Sequence, residues 1–176
     1  MDENEQKETM TEPAEAAEQM QEELASYGAK ILPAASSDEC IEDADLIITV
    51  TPSPKPVFDG TKVKAGATIS CVGTYEPHKH EMDPAILPRA SKIICDSKEA
   101  ALSETGDLLI PIADGIITED DIQGSLGDVI NGKIKGREND DEIIVYETVG
   151  VAAQDLVAAK VIYDKAVEAG KGLVWG

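Results

Sequence analysis

Short, unbroken apolar runs recur along the chain, and each stops at turn-forming residues. Leu46–Val50 ends at Thr51-Pro52-Ser53, Thr68–Val72 ends at Gly73-Thr74-Tyr75, and Lys92–Cys95 ends at Asp96-Ser97. Runs that are continuous rather than alternating are the mark of strands covered on both faces, as in a parallel sheet. Ala29–Leu32, Leu108–Ile110 and Ile143–Tyr146 have the same character and are further strand candidates. In an open parallel sheet, ligands bind in the crevice outside the carboxyl ends of the strands. The turns after the first two runs, Thr51-Pro52-Ser53 and Gly73-Thr74, are therefore the first places to look for a binding site.

Helical spacing fills the intervals. Thr11 is a candidate N-cap for a helix carrying Ala16, Met20 and Leu24 and closing at Tyr27-Gly28. Ser36 with Glu39 reads as a capping box for a helix of one or two turns ending near Ala44. Asp83-Pro84 opens another, with proline at the first helical position, and Ser97 caps a segment running to Ser103. A helix capped by Thr118 is expected to carry Ile122, Leu126 and Val129, followed by a polar loop over 132–141. Val151–Ala169 is an amphipathic helix whose apolar stripe is Ala152, Leu156, Ala159, Tyr163 and Ala166, closed by Gly170. Residues 1–10 lack apolar periodicity and are expected to be a disordered acidic tail.

Composition narrows the partners. At 176 residues the chain can bury a real core, and with only 3% aromatics that core must be Ile, Val, Leu and Ala. Thirty-five acidic against 15 basic side chains give a formal charge of -20, which repels nucleic acid and anionic membrane alike. No apolar run approaches the length of a membrane span, and the polar start Met1–Lys7 lacks the pattern of a secretory signal. A cytoplasmic location is the resulting expectation. Cys40, Cys71 and Cys95 have no CxxC spacing; Cys71 and Cys95 are expected as small buried hydrophobes rather than disulfide or metal partners.

The order of motifs carries a resemblance. Ala44–Ser53, Val72-Gly73, Glu81–Pro84, Asp96–Ala101, Glu104–Leu108, Gly136-Arg137 and Val149–Leu156 follow one another as in the ornithine cyclodeaminase / mu-crystallin family, across roughly residues 13–172. The chain therefore resembles a family of nicotinamide-dependent enzymes that act on amino and imino acids. That resemblance implies an α/β fold: a partial Rossmann-like, mostly parallel sheet with flanking helices and a long C-terminal helix. It implies three parts: a tail over 1–10, a truncated NAD(P)-binding domain over 11–148, and a C-terminal helix over 149–176 that packs on a substrate and dimer domain. NAD or NADP is the implied cofactor. Thr51, Pro52, Ser53, Gly73, Thr74, Val149 and Gly150 are the implied nicotinamide-side contacts, and an amino or imino acid is the implied substrate.

Two departures shape that expectation. The sequence contains no GxGxxG, the turn that holds a dinucleotide pyrophosphate against a helix N-terminus. A broken or truncated gene, a missing half supplied by another chain, and a fold remnant put to another use each account for this. The expected function is accordingly a fragment of an NAD(P)-dependent amino/imino-acid oxidoreductase, with a non-catalytic remnant or interaction module as the alternative. A homodimer or a complementing upstream chain is the expected partner. The second departure is Tyr75, which stands where the cyclodeaminases and the alanine dehydrogenase type of the family carry an aspartate in G-x-D-x-P; here the residues read Gly73-Thr74-Tyr75-Glu76-Pro77. A phenol cannot simply replace a carboxylate in proton transfer. The reductase branch of the family, which also lacks the aspartate, is the better fit, and the catalytic residue is left unassigned.

His78, His80 and Glu81 could be drawn as metal ligands, but they are too few, and a solvated loop is the simpler expectation. Lys79, the cation expected beside the crevice, is more simply a surface lysine.

Overall fold

The structure, a computed structural model, describes residues 13–173; the tail expected over 1–10 and the Thr11 cap lie outside them. Five strands form one sheet: β1 (Leu46–Thr49), β2 (Thr68–Cys71), β3 (Lys92–Cys95), β4 (Ile122–Ser125) and β5 (Ile144–Glu147). Their order is β1-β2-β5-β3-β4, and every pair is parallel. The chain thus lays down four strands at intervals and returns at its far end to insert β5 between β2 and β3. Register does the rest: Thr49 lies opposite Cys71, and Cys71 and Cys95 both lie opposite Glu147. Four strand ends are therefore level, and the turns that follow them stand side by side along one edge.

One face of the sheet carries the core. Ile47, Ile69, Val145 and Ile93 point into it and are met by Ile41 of α2 (Ser37–Ile41), Ala101 of α3 (Lys98–Glu104) and Leu108 of α4 (Gly106–Ala113). Ile86 and Leu87, from the 3-10 segment Pro84–Arg89, complete the layer. Each such fully buried side chain contributes about 1.5–3 kcal/mol over its exposed state. The other face is largely open. On β1, Leu46 and Ile48 are 56% and 60% exposed, whereas Ile94 of β3 is buried on that face at 4%, so the burial on both sides that continuity suggested holds at β3 and fails at β1. Parallel pairing is right; the second covering layer is incomplete among the described residues, with Leu126 and Val129 beside Ile94.

Three sequence expectations fail for identifiable reasons. Ala29–Leu32 forms no strand: it follows an exposed helix, α1 (Pro13–Leu24), and finds no neighbour to pair with. Leu108–Ile110 lies in α4, not in a strand. A short apolar run does not distinguish a buried helix from a strand, and here the Thr105 side chain accepts a bond from the Asp107 N–H and starts the helix. The helix expected from Thr118 through Val129 splits. Thr118 opens only a 3-10 turn over Glu119–Asp121, Ile122–Ser125 becomes edge strand β4, and α5 (Leu126–Ile130) begins at a new cap, where Ser125 and Asp128 bond reciprocally. Pairing with β3 outweighs helical spacing.

Other elements form as expected. Ser97 caps α3 through Ala100, and Asp83 caps the turn after it through Ala85. Ser36 caps α2, although Glu39 reaches back to the Ala35 N–H rather than to that of Ser36. Helix α6 (Ala152–Glu168) is present, yet its apolar stripe meets nothing: Leu156 is 72% exposed and Tyr163 65%. Cys71 and Cys95 are buried, and all three cysteines are free. No helix among the described residues is long and apolar enough to cross a membrane.

Candidate functional site

The level strand ends bring Thr51, Gly73, Asp96 and Thr148–Gly150 to one rim, and two carboxylates tie that rim together. Glu81 is the first. Its Oε1 accepts bonds from the Thr49 hydroxyl at 2.9 Å and the Gly73 N–H at 2.8 Å. Its Oε2 accepts from the Thr51 N–H at 2.7 Å and the Thr51 hydroxyl at 2.8 Å. The side chain is wholly buried, so the loop expected to be solvated instead drives its acid under the ends of β1 and β2. Its backbone is held as well: the Glu81 N–H donates to the Thr74 hydroxyl, and the Val57 N–H donates to the Glu81 carbonyl.

The turn after β1 is closed by its own side chains. The Thr51 hydroxyl also accepts from the Ser53 N–H at 3.2 Å, and the Ser53 hydroxyl donates to the Lys55 carbonyl at 2.6 Å. Pro52 is exposed between them. Gly73 packs against this turn so closely that a Cβ would stand 2.2 Å from the Thr51 carbonyl oxygen. Its lack of a side chain serves turn-to-turn packing first. Thr74, expected at the cofactor, is turned inward and 3% exposed.

Asp96 is the second tie. Its Oδ2 accepts from the Thr148 hydroxyl at 2.6 Å and the Gly150 N–H at 2.8 Å, while its Oδ1 accepts from the Ser97 N–H at 2.7 Å. Gly150 has φ +87 and open space where a side chain would be, so the backbone after β5 is exposed at the rim. Val149 is half-buried beside it.

Below the rim lies an acidic interior. Glu147 and Asp107 are both fully buried; the Thr105 hydroxyl donates to Glu147 Oε1 at 3.0 Å and the Met82 N–H donates to Asp107 Oδ1 at 2.7 Å. Glu147 Oε2 and Asp107 Oδ2 have no hydrogen-bond partner. Burial pushes the Glu147 carboxyl well above the usual range, and the neighbouring Asp107 charge adds to it. Burial raises Asp107 too, against the pull of the Thr74 hydroxyl and the Met82 N–H. The Cys95 thiol is pushed up to about 12, by burial and then by Glu147, and Cys71 is raised in the same way. Neither sulfur is a nucleophile at neutral pH.

The rim therefore offers backbone, hydroxyls and small side chains, which suits binding and orienting a ligand. Tyr75 sits beyond it, 65% exposed, and Glu76 is committed to Lys79 and His78, so Lys79 is ion-paired. Among the described residues no group of three or more His, Cys, Asp or Glu side chains could hold a metal ion. A separate concavity of about 310 Å³ lies on the open sheet face, lined by residues including Ser70, Ile94, Leu126, Ile144 and Tyr146.

The sequence reading missed Glu81, Asp107 and Glu147 as structural acids. The signal for Glu147 was present: in a strand, Val145 pointing inward places Glu147 inward also. Glu81 follows the polar stretch His78-Lys79-His80, and no local pattern there marks it as buried.

Comparison with known proteins accounts for this geometry. The profile of the ornithine cyclodeaminase/mu-crystallin family matches residues 9–170. A delta(1)-pyrroline-2-carboxylate reductase of Bacillus cereus is 43% identical over 138 residues, 78% of this chain and 42% of that protein. The solved delta(1)-pyrroline-2-carboxylate reductase of Thermococcus litoralis, in complex with NADH and L-proline, superposes with a TM-score of 0.87 at 34% identity, covering 92% of this chain and 50% of that one. An archaeal alanine dehydrogenase dimer with bound NAD gives a TM-score of 0.78 at 34% identity, over 90% of this chain and 48% of that one. The chain spans about half the length, or less, of the relatives it matches. The fold is shared with these solved structures, and the chain belongs to the ornithine cyclodeaminase/mu-crystallin family.

Proposed function

We propose that this chain forms the nicotinamide-side part of an NAD(P)-dependent reductase acting on a cyclic or open-chain imino acid. The observation that carries the reading is the rim at the carboxyl edge of the sheet, where Glu81 and Asp96 fix the backbone of Thr51, Gly73 and Gly150 side by side. A parallel sheet presents its ligands there. The relatives that share the sheet include an imine reductase holding NADH and proline.

The residues fit the ring end of the cofactor. Exposed Pro52, the half-buried Val149 and the open backbone at Gly150 give a small, uncharged surface for a flat ring and its ribose. Thr51, Ser53 and Gly73 shape that surface from beneath, and Thr74 supports it through Glu81. The nicotinamide, when bound, supplies a hydride to an electron-poor carbon. This chain's part is to hold the ring and keep water from one side of it. The pyrophosphate lacks its usual glycine-rich turn in this sequence, so the phosphates and the ribose that separates NAD from NADP are read by residues outside it. Tyr75 in place of an aspartate favours a reductase over a cyclodeaminase.

Exposure of the final helix supports a division of the chain. Residues 11–148 form the cofactor-side unit, and α6 in 149–176 presents apolar residues that a substrate and dimer domain covers, supplied by a second copy or a complementing chain. An acidic, membrane-averse surface of this kind fits a cytoplasmic protein.

Titration with NADH and with reduced nicotinamide mononucleotide, followed by nicotinamide fluorescence, tests the reading. Saturable binding of both, with affinities within about tenfold because the adenosine end adds little, is expected. No saturable response to either contradicts it.

A further inference from the structure

The most heavily bonded side chain among the described residues is buried and belongs to no strand or helix. Glu81 accepts four hydrogen bonds, from Thr49 Oγ1, Thr51 N, Thr51 Oγ1 and Gly73 N. The sharing is symmetric in kind: each carboxylate oxygen takes one hydroxyl and one backbone N–H. A hydroxyl can rotate and become an acceptor, but a backbone N–H cannot. An amide in place of the carboxylate must therefore aim its NH2 group at either the Thr51 N–H or the Gly73 N–H, whichever way it is flipped. One of these amides loses its partner in every case. The site requires two acceptor oxygens, and of the natural side chains of this length only glutamate has them.

The two amides in question are the first backbone groups of the crevice. Thr51 opens the turn that carries Pro52 and Ser53, and Gly73 opens the turn after β2. The Gly73 position is also in van der Waals range of the Thr51 backbone, so a shift in one turn displaces the other. The tie reaches the loop between them as well, because the Val57 N–H donates to the Glu81 carbonyl.

We propose that Glu81 is a positioning residue for the nicotinamide subsite: its carboxylate sets the relative placement of the Thr51 and Gly73 turns and so the surface on which the ring rests. This rests on the reading of the rim as the nicotinamide site. Glu81 does not touch the ring; it acts through Thr51 and Gly73.

The test uses the whole chain, wild type and E81Q, with T49V as a control that removes one hydroxyl donor and leaves both backbone bonds intact. Amide hydrogen exchange is measured first, without ligand. In wild type the Thr51 and Gly73 amides are protected. In E81Q one of the two exchanges at least about tenfold faster than the change seen at Ile69 and Val145, the loss of a buried hydrogen bond being worth that much. NADH affinity then falls by about tenfold or more in E81Q and by less than about threefold in T49V. Uniform acceleration across the sheet, or no change at Thr51 and Gly73, overturns the positioning role whatever the binding result. Selective acceleration in a protein whose wild type binds no NADH leaves the tie intact and overturns the nicotinamide reading alone. Selective acceleration with unchanged NADH affinity overturns the proposal.

Discussion

Glu147 and Asp107 carry unpartnered oxygens in the interior, and their effect on stability has a definite sign. Burial raises both carboxyls above their unfolded values, and the Asp107 charge adds to the shift of Glu147 as that of Glu81 adds to the shift of Asp107. Between the ordinary carboxylate range and the raised folded values the native state binds more protons than the unfolded state, so stability falls as pH rises through that window. E147Q removes one of these groups while its amide oxygen still accepts from Thr105. Urea unfolding at a series of pH values above 4.5, the ordinary value for glutamate, is expected to show a shallower decline in E147Q, by up to about 1.4 kcal/mol per pH unit. A steeper decline in the variant would contradict the assignment. At the rim, Gly73→Ala places a Cβ 2.2 Å from the Thr51 carbonyl oxygen. A loss of about 1–3 kcal/mol in denaturant stability is expected, the usual cost of overpacking, together with weakened NADH binding.

At the scale of elements, the strands were legible where an apolar run ended in a turn, and α6 where helical spacing persisted over 17 residues. Errors fell where periodicity is ambiguous. Leu108–Ile110 is too short to declare its period, and β4, Ile122-Gln123-Gly124-Ser125, has too little apolar character to announce a strand. Its pairing with β3 decides it, and pairing is not local. The geometry of the candidate rim was half legible for the same reason. Thr51, Ser53 and Gly73 follow from strand ends and Gly150 from the family resemblance, whereas Glu81 and Asp96 act across 30 and 54 residues respectively in their links to Thr51 and Gly150. Exposure of α6 has its own consequence. Leu156→Ala, at a 72% exposed position, is expected to change the stability of the chain by less than about 0.5 kcal/mol, whereas Ile69→Ala in β2 costs about 2–5 kcal/mol. Equal losses from the two would mean that α6 packs on the sheet.

Among the described residues the sheet has one fully covered face and one covered only in part. Leu46, Ile48 and Val50 on β1, Val72 after β2 and the stripe of α6 are all exposed, which is far more apolar surface than a self-sufficient domain leaves uncovered. The solved relatives it matches are about twice as long. A net charge of -20 opposes compaction throughout, so added salt is expected to raise the thermal midpoint by screening. The location of cofactor binding decides the central claim most directly. Backbone amide shifts of the labelled chain, followed during NADH titration, are expected to move at Thr51, Ser53, Gly73, Val149 and Gly150, along the carboxyl edge of the sheet. Shifts confined to the open face, at Ser70, Ile94 and Tyr146, or no saturable shifts at all, would contradict it.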